Sequence, residues 1–399
     1  MLMSPVNSSA VQRPQLAPSH ELILSNARIV TEHEVFTGNL LVRDGVIQAL
    51  EQGSSRLPQA IDCRGAYLIP GLVELHTDNL EKHFSPRPGV IWPARAAVMG
   101  HDAQLVAAGV TTVFDALAVG DVIAGSTRLE NLAAMVTAIE EAVASGMLRA
   151  DHYLHLRCEI SHAGALEMFE GLVDNPLLRL VSIMDHSPGQ RQFVSLDKYC
   201  QYYMGKHGFS REQMDEFIVM RQADSRRYSD AYRRDIAQIC RERGIALASH
   251  DDATLAHVEE SAEYGMRIAE FPTTLEAARA SHQRGLHVMM GAPNVVRGGS
   301  HSGNIAASEL AREGVLDILS SDYYPGSLLD AAFKLARRDD NGYDLPRSIA
   351  LVSANPASSA GLHDRGSIAP GKRADLLLVE EHEAHPLIHS VWRAGERVF

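Results

Sequence analysis

Apolar residues recur with helical spacing through the middle of the chain, and a short continuous apolar run follows each such stretch. Within residues 129–143 the apolar side chains fall three or four positions apart, which is the spacing of an amphipathic helix. Gly146 is typical of a residue just past a helix C terminus. The apolar run at 153–160 therefore predicts a buried strand that follows a helix.

This order of helix, glycine and strand recurs towards the C terminus. The predicted helices are 129–143, 166–172, 228–243, 255–264, 275–284 and 306–312. The predicted strands are 72–75, 111–114, 153–160, 180–184, 245–249, 267–270, 286–290 and 317–320. Eight strand and helix units in series predict an α/β fold of the (β/α)8 type, a TIM-like barrel.

Both ends of the chain are rich in short β-like runs instead. Such runs occur at 22–24, 28–31, 38–43, 46–51, 374–379, 390–394 and 397–399. Asp44 and Gly45 form a hairpin turn signal between two of them. These runs predict a small β-sandwich built from residues 21–66 and 365–399, with the barrel, 67–364, inserted between. Residues 1–20 are rich in Ser, Pro and Gln without periodicity and predict a flexible tail.

Composition narrows the class of protein. The 399 residues are 45% hydrophobic, yet no apolar run reaches the roughly 18 residues of a membrane span. The four cysteines form no Cys-x-x-Cys pair and the N terminus has no export signal, so we expect a cytoplasmic protein. A formal charge of −13 argues against nucleic-acid or anionic-membrane partners. A small anionic substrate would need a local basic pocket. The oligomeric state stays open, a homo-oligomer included.

The first predicted barrel strand ends in metal-ligating residues. His76 and Asp78 follow the apolar run 72–75 and lie two residues apart. Strand alternation places their side chains on one face. An imidazole and a carboxylate that converge in this way suit Zn²⁺ or a similar ion, although a lone His-x-Asp is more often a polar loop.

Later strand ends carry the same chemistry. The residues that follow predicted barrel strands are His76, Asp78, Glu159, His186, His250 and Asp322. Active-site groups of such barrels stand at the carboxyl ends of the strands. This set predicts a site for two divalent ions about 3.5–4 Å apart that activate a water molecule. Zinc is the expected metal, with Mn, Fe or Mg as alternatives. Asp322 is expected to bind metal and to accept the proton of the attacking water.

These residues resemble the amidohydrolase superfamily. Its members carry a His-x-His or variant after strand one, a bridging Lys or Glu, two further histidines and an Asp after strand eight. Here Asp78 replaces the second histidine, and Glu159 stands at the bridging position. The string at 366–376 resembles the entry into the family's last sandwich strands, and the resemblance covers residues 20 to 399.

Three segments resemble one subgroup of that superfamily: 76–83 with 86–90, 185–193, and 269–274. The resemblance implies hydrolysis of a ribose triphosphate bearing a methylphosphonate. The implied products are diphosphate and the corresponding 5-phosphate, in phosphonate breakdown through carbon–phosphorus lyase. The leaving diphosphate would need cationic partners. The candidates are Lys82, Arg87, Arg191 and Arg297. The loop at 291–304 is either a phosphate-binding backbone nest or a plain flexible loop.

Three alternatives remain. Strand counting places Glu270 on strand six, where it would replace His186 as an inner metal ligand. A deacetylase or deaminase that cleaves a C–N bond would use the same scaffold, since fold alone does not fix the substrate. A non-catalytic scaffold barrel would not need this set of ligands. The other histidines are interpreted as supporting or surface groups; they include His83, His101, His155, His162, His257 and His301.

Overall fold

A computed structural model describes residues 21–123, 127–191, 196–300 and 303–399. The predicted tail at 1–20 and His301 lie outside the described residues. None of the helices in these ranges has the length and apolar content that a membrane crossing would require.

The strands fall into three groups along the chain. The first five are β1 (Glu21–Val30), β2 (Val35–Arg43), β3 (Val46–Gln52), β4 (Ile61–Asp62) and β5 (Tyr67–Pro70). The next eight are β6 (Leu72–Thr77), β7 (Val110–Val119), β8 (Asp151–Glu159), β9 (Leu178–Met184), β10 (Ala246–His250), β11 (Ile268–Glu270), β12 (His287–Gly291) and β13 (Ile318–Ser320). The last three are β14 (Leu376–His382), β15 (His385–Arg393) and β16 (Glu396–Arg397).

Helices fill the connections between the middle strands. They are α1 (Asn79–Phe84), α2 (Ala94–Ala107), α3 (Thr127–Ala144), α4 (Ala165–Glu170), α5 (Leu196–His207), α6 (Arg211–Arg243), α7 (Leu255–Glu263), α8 (Leu275–Gln283), α9 (Ala292–Arg297), α10 (Ala307–Arg312), α11 (Ser327–Ala336), α12 (Leu345–Ala350) and α13 (Ala354–Ser359).

Strands β6 to β13 form the predicted parallel barrel, each paired with its neighbours in chain order. The first and last strands meet at a seam, where Thr77 forms a parallel bridge with Asp322. The Asp78 amide donates to the Asp322 carbonyl over 3.0 Å, and the Asp322 amide donates to the His76 carbonyl over 3.1 Å. The (β/α)8 prediction is confirmed, and the seam brings two predicted metal-binding segments together.

Burial explains why these segments became strands. Every residue of β6 and β7 is buried, as expected for parallel strands covered on both faces. Inward-facing Leu75, Phe114, Leu180 and Met289 belong to the apolar cluster that fills the barrel. Two larger apolar clusters lie between strands and helices. Apolar side chains thus fill the middle of the barrel, and polar side chains lie at the carboxyl ends of the strands.

The terminal strands form one mostly antiparallel sheet in the order β16-β15-β14-β5-β1-β2-β3, with β4 beside β1. Strand β3 also contacts the segment before β14: the Ile47 amide donates to the Lys372 carbonyl over 2.8 Å, and Val46 forms a bridge with Arg373. The core of this sheet includes Leu40, Leu68 and Trp392. Strand β5 pairs within this sheet, so the sheet extends past residue 66, where the sequence predicts the barrel to begin. The division at 66 and 364 otherwise remains a prediction.

Helix α6 is much longer than the predicted 228–243. It begins after Ser210, whose hydroxyl accepts from the Gln213 amide, and both halves of a capping box are present. It ends before Gly244, which is left-handed with φ 67°. Its 33 residues span about 50 Å. The first half carries many charged residues without a clear apolar stripe, which is why periodicity does not predict it.

Candidate metal centre

A cavity of about 730 Å³ opens at the carboxyl ends of the barrel strands. All six predicted metal-binding residues line it: His76, Asp78, Glu159, His186, His250 and Asp322. Their segments come from strands one, three, four, five and eight of the barrel, so only the barrel topology brings them together.

Glu270 lies between two of the histidines. Its Oε2 is 3.2 Å from His76 Nδ1 and 3.0 Å from His250 Nδ1. Its Oε1 is 3.6 Å from His155 Nε2. The Phe271 ring packs edge-on against the rings of His76 and His250. Glu270 is fully buried at the end of β11, and it forms the inner part of the site.

A second group of residues surrounds His186. Its Nδ1 is 2.6 Å from Glu159 Oε2, and its Nε2 is 3.6 Å from Asp251 Oδ2. His250 Nε2 is 3.4 Å from the same Asp251 oxygen. His250 therefore faces Glu270 with one ring nitrogen and Asp251 with the other, and it joins the two groups.

Asp78 and Asp322 lie at the barrel seam. Asp78 Oδ2 is 3.6 Å from Arg128 Nη2. Asp322 has φ 54° and Asp251 has φ 58°, both in the left-handed region. Each such conformation costs on the order of 1 kcal/mol or more and is common at functional sites. The backbone is thus strained at two carboxylates that face the cavity.

Burial sets the protonation states of the site. Desolvation lowers the pKa of His76 well below its usual value and that of His250 to about 3, so both imidazoles are neutral. Burial, reinforced by the charge of Asp78, raises the pKa of Asp322 to about 6. Desolvation opposes a charge on His186 as well, but Glu159 and Asp251 outweigh it and raise its pKa to about 10. The position of His186 therefore has a strongly negative potential.

The donor set fits a divalent cation. Among the described residues, His76 Nδ1, Asp78 Oδ1 and Glu270 Oε1 are buried without a hydrogen-bond partner. Ligand atoms lie within 4.8 Å of one another in two groups at the cavity, His76, His155, Glu270 and His186, His250, Asp251. Neutral imidazoles and buried carboxylates are the ligands that divalent metals bind. The unpaired atoms are ones that a cation would satisfy.

The site also contains residues that the sequence analysis did not assign to metal or substrate binding, or assigned only as alternatives. His155, interpreted above as a supporting group, belongs to one of the two clusters, and Glu270 and His186 both lie at the site. Asp251 directly follows His250, and this adjacency is the only signal for it in the sequence. Arg157 also lines the cavity. It lies two positions before Glu159 on the same strand, so alternation would have found it.

The four predicted cations lie in different places. Arg297 lines the cavity. The Lys82 ammonium donates to the Tyr323 carbonyl at the cavity edge. Arg87 is exposed and outside the lining residues. Arg191 is also outside the lining residues, because it is buried in ion pairs with Asp252 and Glu260.

The segment at 291–304 is partly helical. Helix α9 occupies Ala292–Arg297, so this part is neither a nest nor a plain loop. Gly291, Asn294, Gly299, Ser300 and Asn304 line the cavity together with Arg297. Residues 301 and 302 lie outside the described residues. The segment contributes polar groups to one wall of the cavity.

Comparisons with known proteins agree with this geometry. The model of the amidohydrolase family matches residues 67–398. The chain is 56% identical over 378 residues to the alpha-D-ribose 1-methylphosphonate 5-triphosphate diphosphatase of Escherichia coli (strain K12), covering 95% of this chain and 100% of that protein. It is 25% identical over 376 residues to an adenine deaminase of Desulfatibacillum aliphaticivorans, covering 90% of this chain but 55% of that protein.

Solved structures share the fold at low sequence identity. A 5-methylcytosine deaminase from Klebsiella pneumoniae superimposes with a TM-score of 0.65 at 17% identity, covering 95% of this chain and 97% of that chain. An N-acetyl-D-glucosamine-6-phosphate deacetylase from Mycobacterium smegmatis gives a TM-score of 0.62 at 18% identity, covering 95% and 100%. At such identities the likeness concerns the fold alone.

Proposed function

The chain belongs to the amidohydrolase family, and on that premise we propose that it hydrolyses α-D-ribose 1-methylphosphonate 5-triphosphate to the 5-phosphate and diphosphate. The observation that carries the proposal is the 56% identity to the Escherichia coli diphosphatase over the whole length of that protein. The cavity at the mouth of the barrel, with its imidazoles and carboxylates, is the site at which the reaction would occur.

At the reacting phosphorus, one bond forms and one breaks. A water oxygen bonds to the phosphorus nearest the ribose, and the bond from that phosphorus to the bridging oxygen of the diphosphate breaks. The water gives up a proton, and the departing diphosphate carries the bonding electron pair. The protein has to accept the proton and stabilise negative charge on the phosphoryl oxygens.

Asp322 is the proposed proton acceptor. Burial and the neighbouring Asp78 disfavour its charged form, and they raise its pKa to about 6. A carboxylate with this pKa is a stronger base than an exposed aspartate and is still ionised at neutral pH. Its fixed backbone at the seam points it at the cavity that holds the substrate.

The proposed metal ligands are His76, Asp78, Glu159, His186, His250 and Asp322, with Glu270 beside them. Two divalent ions, zinc in the first instance, would polarise the phosphoryl oxygens and lower the pKa of the attacking water. Neutral His76 and His250 keep their lone pairs available for this role. Glu270 Oε2 orients His250 by accepting from its Nδ1 over 3.0 Å, whereas His76 Nδ1 lies 3.2 Å from the same oxygen without a hydrogen bond.

Lys82 and Arg297 are the predicted cations best placed to bind the distal phosphates. Lys82 lies at the edge of the cavity, and Arg297 lies in its wall. Arg191 would support the site through its ion pair with Asp252, next to Asp251. Arg87 stays a predicted substrate-binding cation, although it is exposed and outside the residues that line the cavity. The acidic net charge supports the absence of nucleic-acid and anionic-membrane partners, and the dispersed cysteines support a cytoplasmic location.

Phosphorus-31 NMR of the purified, metal-loaded protein tests this function. We expect the triphosphate resonances of the ribose phosphonate to be replaced by those of free diphosphate and a 5-phosphate monoester. The chelated protein, freed of divalent ions, is the matched control and should be inactive. Release of acetate or ammonia from amide or amine substrates, with no diphosphate formed, would instead establish a C–N hydrolase.

A further inference from the structure

Arg157 faces the interior of the barrel. Along β8, Leu154, Leu156 and Cys158 belong to the apolar cluster between strands and helices. Because side chains alternate along a strand, Arg157 lies on the opposite face, together with Glu159. Its presence among the residues that line the cavity agrees with that alternation.

The neighbours of Arg157 on that face are fixed by their own contacts. His155 Nδ1 lies 2.9 Å from the Leu75 carbonyl, and its Nε2 lies 2.7 Å from Ser182 Oγ. Glu159 contacts His186 on the other side. Each neighbour is two residues from Arg157, or roughly 6–7 Å along the strand. The guanidinium therefore lies between the group of metal-ligating residues around Glu270 and the group around His186.

No carboxylate lies within ion-pairing distance of Arg157 in the part of the chain that the structure describes, although its charge acts on Asp322 and Glu81 from further away. Arg157 forms no ion pair or hydrogen bond there, and its Nε is buried and unsatisfied. Three buried arginines elsewhere in the barrel, by contrast, are each paired: Arg191 with Asp252, Arg221 with Asp224, and Arg233 with Glu260. Arg128, which also lines the cavity, pairs with Glu81. Arg157 is half-buried, and its buried Nε lacks the partner that buried polar atoms normally have, so an acceptor is expected from outside the chain.

We propose that Arg157 binds the phosphoryl group that is attacked, and stabilises the charge on its oxygens in the transition state. This inference rests on the proposed function and places the reacting phosphorus between β8 and the metal-ligating residues. A guanidinium suits the role because its planar set of donors matches two phosphoryl oxygens at once. Arg297 is exposed at the cavity wall, so it contacts the distal phosphates instead.

The kinetic test compares Arg157→Met, Arg157→Lys and Arg297→Met on the ribose phosphonate triphosphate. For Arg157→Met we expect kcat to fall about 100–1000-fold, the range for removal of a transition-state donor. Arg157→Lys should lose less activity than Arg157→Met, since lysine keeps the positive charge but lacks the planar pair of N–H donors. Arg297→Met should mainly raise KM. The control is Arg95→Met, whose side chain is 65% exposed and paired with Glu141.

A binding measurement separates contact with phosphate from a structural role. Calorimetric titration with ribose 5-phosphate, whose phosphate corresponds to the attacked phosphoryl group, should show at least tenfold weaker binding to Arg157→Met than to the parent protein. Metal content, measured by mass spectrometry, should be the same in both. Added guanidinium should partly restore the activity of Arg157→Ala, because a free cation can occupy the vacated space.

The two proposals fail in different ways. If the parent protein releases no diphosphate from the triphosphate, the proposed function is wrong. If the parent releases diphosphate while Arg157→Met keeps its kcat and its affinity for ribose 5-phosphate, the role of Arg157 is wrong. Loss of kcat together with loss of bound metal, and no rescue by guanidinium, would also overturn it, because Arg157 would then only support the ligands.

Discussion

At the scale of single residues, the site combines strain with burial. Asp322 has a left-handed backbone conformation and a carboxyl group whose pKa is raised from 3.8 to about 6. Burial is the main cause of that shift, and the charge of Asp78 adds to it. Because the folded-state pKa lies above the unfolded value, stability falls as the pH rises from about 4 to about 6, and the destabilisation by the ionised carboxylate persists above that pH. Function and stability therefore make opposite demands on this one side chain.

Asp322→Asn should separate the two demands. Asparagine tolerates positive φ and has a similar shape, so the backbone should be kept. We expect the metal-free variant to be more stable than the parent at pH 8 by up to about 3 kcal/mol, with the difference vanishing below pH 4. Diphosphate release should fall by about 100-fold or more, since the proton acceptor is gone. Urea unfolding at several pH values measures the first effect, and phosphorus-31 NMR the second.

The exposed Asp174→Asn serves as the control for that comparison, because its side chain is 81% exposed. It should change neither stability nor activity appreciably. An Asp322→Asn variant that is less stable than the parent at pH 8, or that keeps full activity, would contradict the assignment of Asp322 as a buried base.

At the scale of elements, the barrel seam depends on one side chain. Glu74 Oε1 accepts from the His76 amide over 2.6 Å, and its Oε2 accepts from the Ser321 amide over 2.5 Å. The carboxyl group thus takes the place of ladder hydrogen bonds between β6 and β13, whose pairing is otherwise limited to the bridge between Thr77 and Asp322. It sets the distance between the segments that carry His76 and Asp322.

Glu74→Gln should loosen this seam. Glutamine has only one acceptor oxygen, so its NH₂ group would face the amide of either His76 or Ser321. Two donors would then point at each other, and neither would have an acceptor. We expect a loss of about 2–3 kcal/mol in unfolding free energy, the cost of a buried unsatisfied group. The kcat for diphosphate release should fall at least tenfold. Urea unfolding and steady-state kinetics measure both, and the exposed Glu130→Gln on α3 is the control. Unchanged stability would show that Glu74 does not hold the seam.

The N-terminal half of α6 provides a second test at this scale. Ser210 caps the helix, and Met214 packs with Tyr199 and Tyr203 of α5, of which Tyr203 lines the cavity. Ser210→Ala should cost about 1 kcal/mol and act locally. Hydrogen exchange should become faster for the amides of the first helical turns, while the amides of β7 stay protected. Equal acceleration in β7 would mean that the cap affects the whole fold.

At the scale of the whole molecule, one aspartate joins the two structural units. Asp151 Oδ2, at the start of β8, lies 2.6 Å from Arg365 Nη1 and 2.5 Å from Arg373 Nη1, and Oδ1 lies 3.4 Å from Arg393 Nη1. Burial would raise the pKa of Asp151, but Arg373 and Arg365 outweigh it and lower the pKa. The stabilisation is therefore present at neutral pH and is lost as the pH falls through that lowered pKa.

Asp151→Asn should weaken the attachment of the terminal sheet to the barrel. Three guanidinium groups would lose a shared carboxylate that is 25% exposed, and we expect a loss of roughly 2 kcal/mol at neutral pH. The difference from the parent should shrink at low pH, where the parent carboxylate is protonated. Thermal unfolding at several pH values measures the effect. A pH-independent difference would point to a packing defect instead.

Much of this molecule follows from local patterns, and the remainder depends on long-range pairing. Apolar runs predict all eight barrel strands, because each strand is buried on both faces. The metal-ligating residues follow as well, since the carboxyl ends of parallel strands share one end of a barrel. Contacts between elements that are distant in the sequence cannot be predicted from such local patterns. Arg191 resembles a phosphate ligand until Glu260 of α7 is placed beside it. Residues 67–70 fall within the predicted barrel range, and only the pairing of β5 with β14 shows that they belong to the terminal sheet.

The seam also dictates when the site comes into being during synthesis. Glu74 and Ser321 are 247 positions apart along the chain, yet they bond directly across the seam. A nascent chain has already made His76 long before the segment carrying Asp322 leaves the ribosome. Closing so long a loop carries a large entropic cost, so these contacts belong to the late stages of folding. A partly synthesised or truncated chain would hold the early ligands without the late ones, and activity would appear only when the last barrel strand has been placed.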